Sequence, residues 1–263
     1  MKIYLILFFA VSGLFSTSLH TFAEEAKPLN ILLINGGCCH DYDAQGPVIK
    51  AIVETSLNAK VTIASSTNKT DARFKPFEQD NWSDGYDLVI HNECSAKVND
   101  KEYVNRILKA HLDGLPSLNI HCAMHSYRWG SFKKPVKIGD DNAAWFEMIG
   151  LQSSGHGPRF PINVKYLKDT HPITEGLEDW VTPRGELYNN VQIFDSATPL
   201  AMGSQTLKDG EMAEAVVAWT NLYGPNKTKI FSISIGHSSE EMLDESFGLL
   251  LSRGILWCVG ELD

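Results

Sequence analysis

Residues 87–121 read DLVIHNECSAKVNDKEYVNRILKAHLDGLPSLNIH, and this stretch decides the fold class. Asp87 to His91 is a short apolar run, the pattern of a strand covered on both faces. Asp100 to Leu112 follows, with Val104, Ile107, Leu108 and Leu112 at helical spacing. Asp100 can cap that helix, because its carboxylate accepts from the unpaired N–H groups of the first turn. Gly114-Leu115-Pro116 stops the helix, and Pro116 to His121 is the next strand. Two buried strands joined through a helix make the crossover unit of a parallel sheet.

The same alternation extends toward the N-terminus. Leu29 to Asn35 (LNILLIN) reads as a strand that ends at Gly36-Gly37. Residues 47–57 carry Val48, Ile49, Ile52, Val53 and Leu57 at helical spacing, and Lys60 to Ala64 reads as a second strand. Residues 67–86 are polar and read as a loop with one helical turn. The expected class is α/β: a parallel sheet with helices on both faces. The second half is less regular. Residues 130–160 form a long excursion anchored by Trp145, Phe146 and Met148. Pro161 to Leu167, Leu187 to Phe194, Ala213 to Thr220 and Lys229 to Ile235 read as strands, the last two as a hairpin added to the sheet. Residues 243–258 read as a closing helix.

Composition excludes several classes. The 263 residues are 43% hydrophobic and 21% charged, which fits a folded chain. The net charge of −9 lacks the basic footprint of a nucleic-acid binder and offers no polybasic attraction to a membrane. Lys2 precedes an apolar run from Ile3 to Val11, and Thr21-Phe22-Ala23 closes the segment. A basic start, an apolar run too short to span a bilayer and a small-residue end predict a signal peptide over 1–23. The expected product is one domain over 24–263, exported to the periplasm or secreted, with no stable membrane insertion after cleavage. A homo-oligomer is compatible with this composition.

Five cysteines (Cys38, Cys39, Cys94, Cys122 and Cys258) leave at least one thiol unpaired within the chain. The histidines are informative by position. His91 and His121 end strands, His40 lies beyond the glycines of the first strand, and His237 follows the last strand after Gly236. In an open parallel sheet, ligands bind outside the carboxyl ends of the strands, so these imidazoles are expected to converge there. His121, His237 and His40 are then candidate ligands for a divalent metal such as zinc, assembled from separate loops. Glu186 and Tyr188 share one face of a strand and offer a carboxylate and a phenol for acid–base work. Cys122, directly after a strand, admits a second reading: a thiol nucleophile with His237 as base and Glu240 as its orienting group. Ser154-Gly155-His156-Gly157-Pro158 presents His156 on a flexible loop.

Several stretches together resemble one family. They are GCCHDY (37–42), DLVIHNE (87–93), GLPSLNIHCAMHSYR (114–128), SGHGP (154–158), HPITEGL (171–177), ELY (186–188), Val217 to Tyr223 and Gly236-His237. In this order, across residues 29–258, they resemble the ThuA-like (trehalose utilisation) family. The resemblance implies a flavodoxin-like, class I glutamine amidotransferase-like fold and a role in processing trehalose or oxidised (keto) disaccharides. It carries His121, Glu186, Tyr188 and His237 over as catalytic, with His40, Arg128 and His156 as substrate-binding. Trp129 and Glu93 join the substrate-binding set, Trp129 for ring faces. The amidotransferase relatives use Cys, His and Glu. Cys122 and His237 match in position, but Glu240 stands three residues beyond His237 rather than two. A small carbohydrate is the expected partner. A non-catalytic sugar-binding domain is the third reading.

Overall fold

The computed structural model describes residues 27–167 and 171–263. The expected signal segment lies outside them. The central sheet has nine strands. Its parallel half is built from β1 (Leu29–Gly37), β2 (Ala59–Ser65), β3 (Leu88–Cys94) and β4 (Ser117–Ile120), in the order β2-β1-β3-β4. Short strands β5 (Leu151–Gln152) and β6 (His156–Phe160) precede β7 (Asn163–Tyr166) and β8 (Trp180–Val181). They are followed by β9 (Gly185–Tyr188), β10 (Gln192–Ile193), β11 (Ala197–Thr206), β12 (Met212–Tyr223) and β13 (Thr228–Ile233). Strand β13 lies parallel to β4 and antiparallel to β12, so the expected hairpin is present. The sheet then continues antiparallel through β11, β7 and β8. Two ribbons, β6 with β9 and β5 with β10, stand apart from it. Leu187 to Phe194 is therefore two short strands rather than one.

Helices cover both faces. On one side α1 (Tyr42–Ser56) and α5 (Glu245–Val259) pack Ile49, Val53, Phe247, Leu250 and Leu251 against Ile31, Leu33, Ile120 and Phe231. On the other, α2 (Lys101–Leu112) and α3 (Ala144–Ile149) pack Val104, Ile107, Trp145 and Met148 against Leu32, Val89 and Trp219. The local signals explain where the helices begin. Asp41 accepts from Ala44 N and starts α1 five residues earlier than the apolar spacing alone indicates. Asp100 accepts from the N–H groups of Glu102 and Tyr103, as expected. The short helix α4 (Ser239–Met242) is capped by Ser238. Among the described residues no helix is long and apolar enough to cross a membrane.

Gly254 shows how closely α5 seats on the sheet. A Cβ at 254 would run into the ring of Phe231, which is fully buried on β13. Gly254→Ala is expected to destabilise the fold by about 1–3 kcal/mol, the cost of overpacking a core, and a thermal melt would register it.

Candidate metal and acid–base centre

Three of the parallel strands deliver an imidazole at their carboxyl ends. His40 follows β1 in the loop before α1, His121 follows β4, and His237 follows β13. Because β1, β4 and β13 run parallel, these ends share one edge of the sheet. The ribbon of β6 and β9 folds over that edge. Its register sets Arg159 opposite Glu186 and His156 opposite Tyr188. One ligand atom each from His40, His121, His237 and Glu186 lies within 4.8 Å of all the others.

The tautomers of two rings are fixed by backbone carbonyls. His121 Nδ1 donates to Ser234 O at 2.6 Å, and His40 Nδ1 donates to His237 O at 3.2 Å. With Nδ1 carrying the proton in each, Nε2 is the nitrogen that can offer a lone pair. His121 Nε2 and His237 Nδ1 are buried without a hydrogen-bond partner, and both face Glu186 Oε2, at 3.4 and 3.3 Å. Three imidazole nitrogens and a carboxylate suit zinc or a similar divalent ion, and ring N–H groups anchored on carbonyls are usual for metal-bound histidine. This fit rests on the donor set and its unpartnered nitrogens.

The electrostatics follow from crowding. Burial, with His121 and His237 adding to it, pushes the His40 imidazole down to about 3. For Glu186, burial alone would raise the carboxyl. Contacts with His121 and His237 outweigh it and hold the group well below the usual carboxylate range. Burial, followed by the charge of Glu186, drives the Tyr188 phenol well above its ordinary value, so Tyr188 stays neutral. His111, on α2 and far from the cleft, is pushed down to about 3 by burial and by His91. Both His40 and His111 fold neutral and protonate more readily when unfolded, near 6.5. The stability they confer is complete above that pH and is lost as pH falls toward 3. Unfolding free energy should drop by about 1.4 kcal/mol per pH unit for each ring across that window. Urea titrations between pH 7 and 4 measure the slope, and His111→Gln should make it shallower.

The cleft has a volume of about 480 Å³, and His40, His237, Glu186, Tyr188, His125, Arg128, His156 and Arg159 all line it. A hollow of about 600 Å³ between α1 and α5 is larger, but its lining holds no histidine or cysteine. Arg128 donates to Ser154 O and lies over the Phe132 ring. His156 is exposed at the mouth, with Nε2 3.6 Å from Glu186 Oε2.

Five expectations are corrected. Cys122 is bonded to Cys94, so it is no free nucleophile in this structure. The residue held in the left-handed region at the turn after β4 is His121, at φ +45°, one position before Cys122. Glu240 is exposed, and the neighbouring Glu241 accepts from the N–H groups of Gly236 and His237 instead. Trp129 lines a separate hollow with Asn105 and Asp140 and does not line the cleft. Glu93 is fully buried, bonded to His91 and Tyr127, and does not line the cleft. His91 goes with it, away from the other imidazoles. Because β3 runs on to Cys94, His91 and Glu93 alternate onto one face of the sheet.

Other residues enter without a sequence signal of their own. Arg159 Nε lies 3.7 Å from Glu186 Oε1. His125 stacks on Tyr188 with ring centroids 4.2 Å apart and pairs with Ser153. Gln45, from α1, donates to the backbone oxygens of Gly236 and His237 and steadies the loop that carries His237.

A family model described as "ThuA: Trehalose utilisation" matches residues 30–258. The chain belongs to the ThuA family. Membership supports a carbohydrate-related role in general terms. No curated protein matches the chain. Among solved structures, a ThuA-like protein from Parabacteroides merdae is 20% identical with a TM-score of 0.68, covering 90% of this chain and 92% of its own. A ThuA-like protein from Bacteroides uniformis gives 16% and 0.61, covering 90% and 94%. A GMP synthase-type protein from Thermoplasma acidophilum gives 13% and 0.52, covering 89% and 94%. These likenesses establish the fold, which is that of ThuA-like proteins and of class I glutamine amidotransferases.

Proposed function

We propose that this ThuA protein is an exported enzyme acting on trehalose or an oxidised (keto) disaccharide through a divalent metal held by His40, His121, His237 and Glu186. One observation carries the reading: two unpartnered, buried imidazole nitrogens aimed at one carboxylate oxygen, with a third imidazole beside them. A bound divalent ion supplies Lewis acidity toward a sugar carbonyl or hydroxyl. The protein's own groups do the rest. His156 Nδ1 is committed to Gly157 O, which leaves Nε2, beside Glu186 at the cleft mouth, to move a proton on the substrate. Arg128 and Arg159 stand on the same wall as donors for hydroxyls. The family description supports the sugar, and the N-terminal pattern of residues 1–23 supports export.

Elemental analysis of the purified protein is expected to find one divalent metal per chain. Chelation should then abolish turnover of a 3-keto-disaccharide, with recovery on re-addition of zinc. A metal-free protein that turns the sugar over at full rate would reject the metal and leave a bare His/Glu centre.

A further inference from the structure

We propose that the cysteines beside the cleft form a thiol–disulfide exchange relay, a second chemistry separate from the His/Glu centre. Cys38, Cys39, Cys94 and Cys122 all line the cleft wall. Cys38 is bonded to Cys39 and Cys94 to Cys122, and Cys38 Sγ touches Cys94 Sγ at 3.7 Å. The backbone is shaped to bring the pairs together. Gly37, at φ +96°, lies so close to the Cys94 carbonyl that a Cβ would collide with it, and Cys38 N donates to Cys94 O at 3.1 Å. Cys39 takes φ +84°, an uncommon conformation for a non-glycine residue, and it is exposed. The four sulfurs thus run from a solvent-facing atom to the residue next to His121.

The ligand class is an external monothiol. Its thiolate attacks Cys39 Sγ, forms a mixed disulfide there and expels the Cys38 thiolate. Cys38 Sγ then attacks Cys94 Sγ, the bond to Cys122 breaks, and Cys122 leaves as a thiolate and takes up a proton. A second external thiol resolves the mixed disulfide at Cys39. Two external thiols are oxidised to one disulfide, and the protein keeps one disulfide, Cys38–Cys94, while gaining thiols at Cys39 and Cys122. The Cys94–Cys122 bond ties the turn bearing His121 to the end of β3, so the relay ends where it can loosen that imidazole.

The test does not depend on turnover. Folded, full-length protein is treated with two equivalents of glutathione and quenched in acid. It is then unfolded and alkylated with N-ethylmaleimide, and its peptides are mapped by mass spectrometry. Cys258 is a free thiol and labels throughout. New label on Cys39 and Cys122, with the Cys38 and Cys94 peptides joined, is the expected result. Label on Cys38 and Cys39 with Cys94–Cys122 still joined would overturn the relay, as would no new label at all. Cys38→Ser removes the link between the pairs and should slow opening of Cys94–Cys122 by at least about tenfold. An unchanged rate would also overturn it.

Discussion

His121→Ala is expected to lower metal affinity more than about 100-fold, beyond the usual effect of losing a mere ligand-orienting partner. Turnover of the keto-disaccharide should fall with it to background. The ring is buried, its Nδ1 is spent on Ser234 O, and its Nε2 has nothing but the Glu186 carboxylate and the neighbouring rings to meet. His171→Ala is the matched control: that ring packs against Trp257, away from the cleft, and its loss should leave both metal content and turnover unchanged. Backbone strain provides a second readout. His121 sits at φ +45°, where a side chain costs about 1–2 kcal/mol. His121→Gly should therefore be about 1 kcal/mol more stable than His121→Ala while equally inactive. Equal melting temperatures for the two would mean that the turn is not strained. Retained metal and turnover in both would remove His121 from the centre.

Much of this was legible because buried strands and their ends leave local marks. Leu29 to Asn35, Asp87 to His91 and Pro116 to His121 are apolar runs bounded by breakers, and each lies within or overlaps a parallel strand. The convergence of His40, His121 and His237 follows from strand ends lying on one edge. Strand β11 left no such mark. Its sequence ATPLAMGSQT holds Pro199, Gly203 and four polar residues, and its register shifts twice against β12. What makes it a strand is pairing with β12 and β7, a tertiary cause. The errors at Cys122 and Glu240 are each one residue wide. In a turn, neighbours point in different directions, and only φ distinguishes His121 from Cys122. Likewise, only the phase of α4 decides that Glu241 faces inward. Arg159 and His125 reach the cleft, and Gln45 reaches the His237 loop, from a ribbon, a turn and a helix whose placement no local spacing encodes.

Glu93 illustrates the opposite case, a motif residue whose work is in the core. Glu93 Oε1 meets His91 Nδ1 at 2.8 Å and accepts from Tyr127 OH at 3.1 Å. His91 Nε2 lies 3.2 Å from His111 Nε2, and His111 Nδ1 donates to Leu115 O at 2.8 Å. His111 is neutral, so its Nε2 is a lone pair and the proton between the two rings belongs to His91. Glu93→Ala deletes an oxygen on which two buried groups depend and opens a cavity beside them. The expected cost is about 3–5 kcal/mol, the range for removing one partner of a buried pair. For a chain of this length that lowers Tm by about 6–20 °C. Glu93→Gln keeps the volume and can reform neutral hydrogen bonds to both partners, so it should cost only about 1–2 kcal/mol. Turnover per folded molecule should survive in both variants at low temperature, because Glu93 does not line the cleft. Loss of turnover in a fully folded Glu93→Gln protein would return Glu93 to the substrate-binding set. Equal destabilisation by Ala and Gln would show that the carboxylate itself, rather than shape, holds this part of the core.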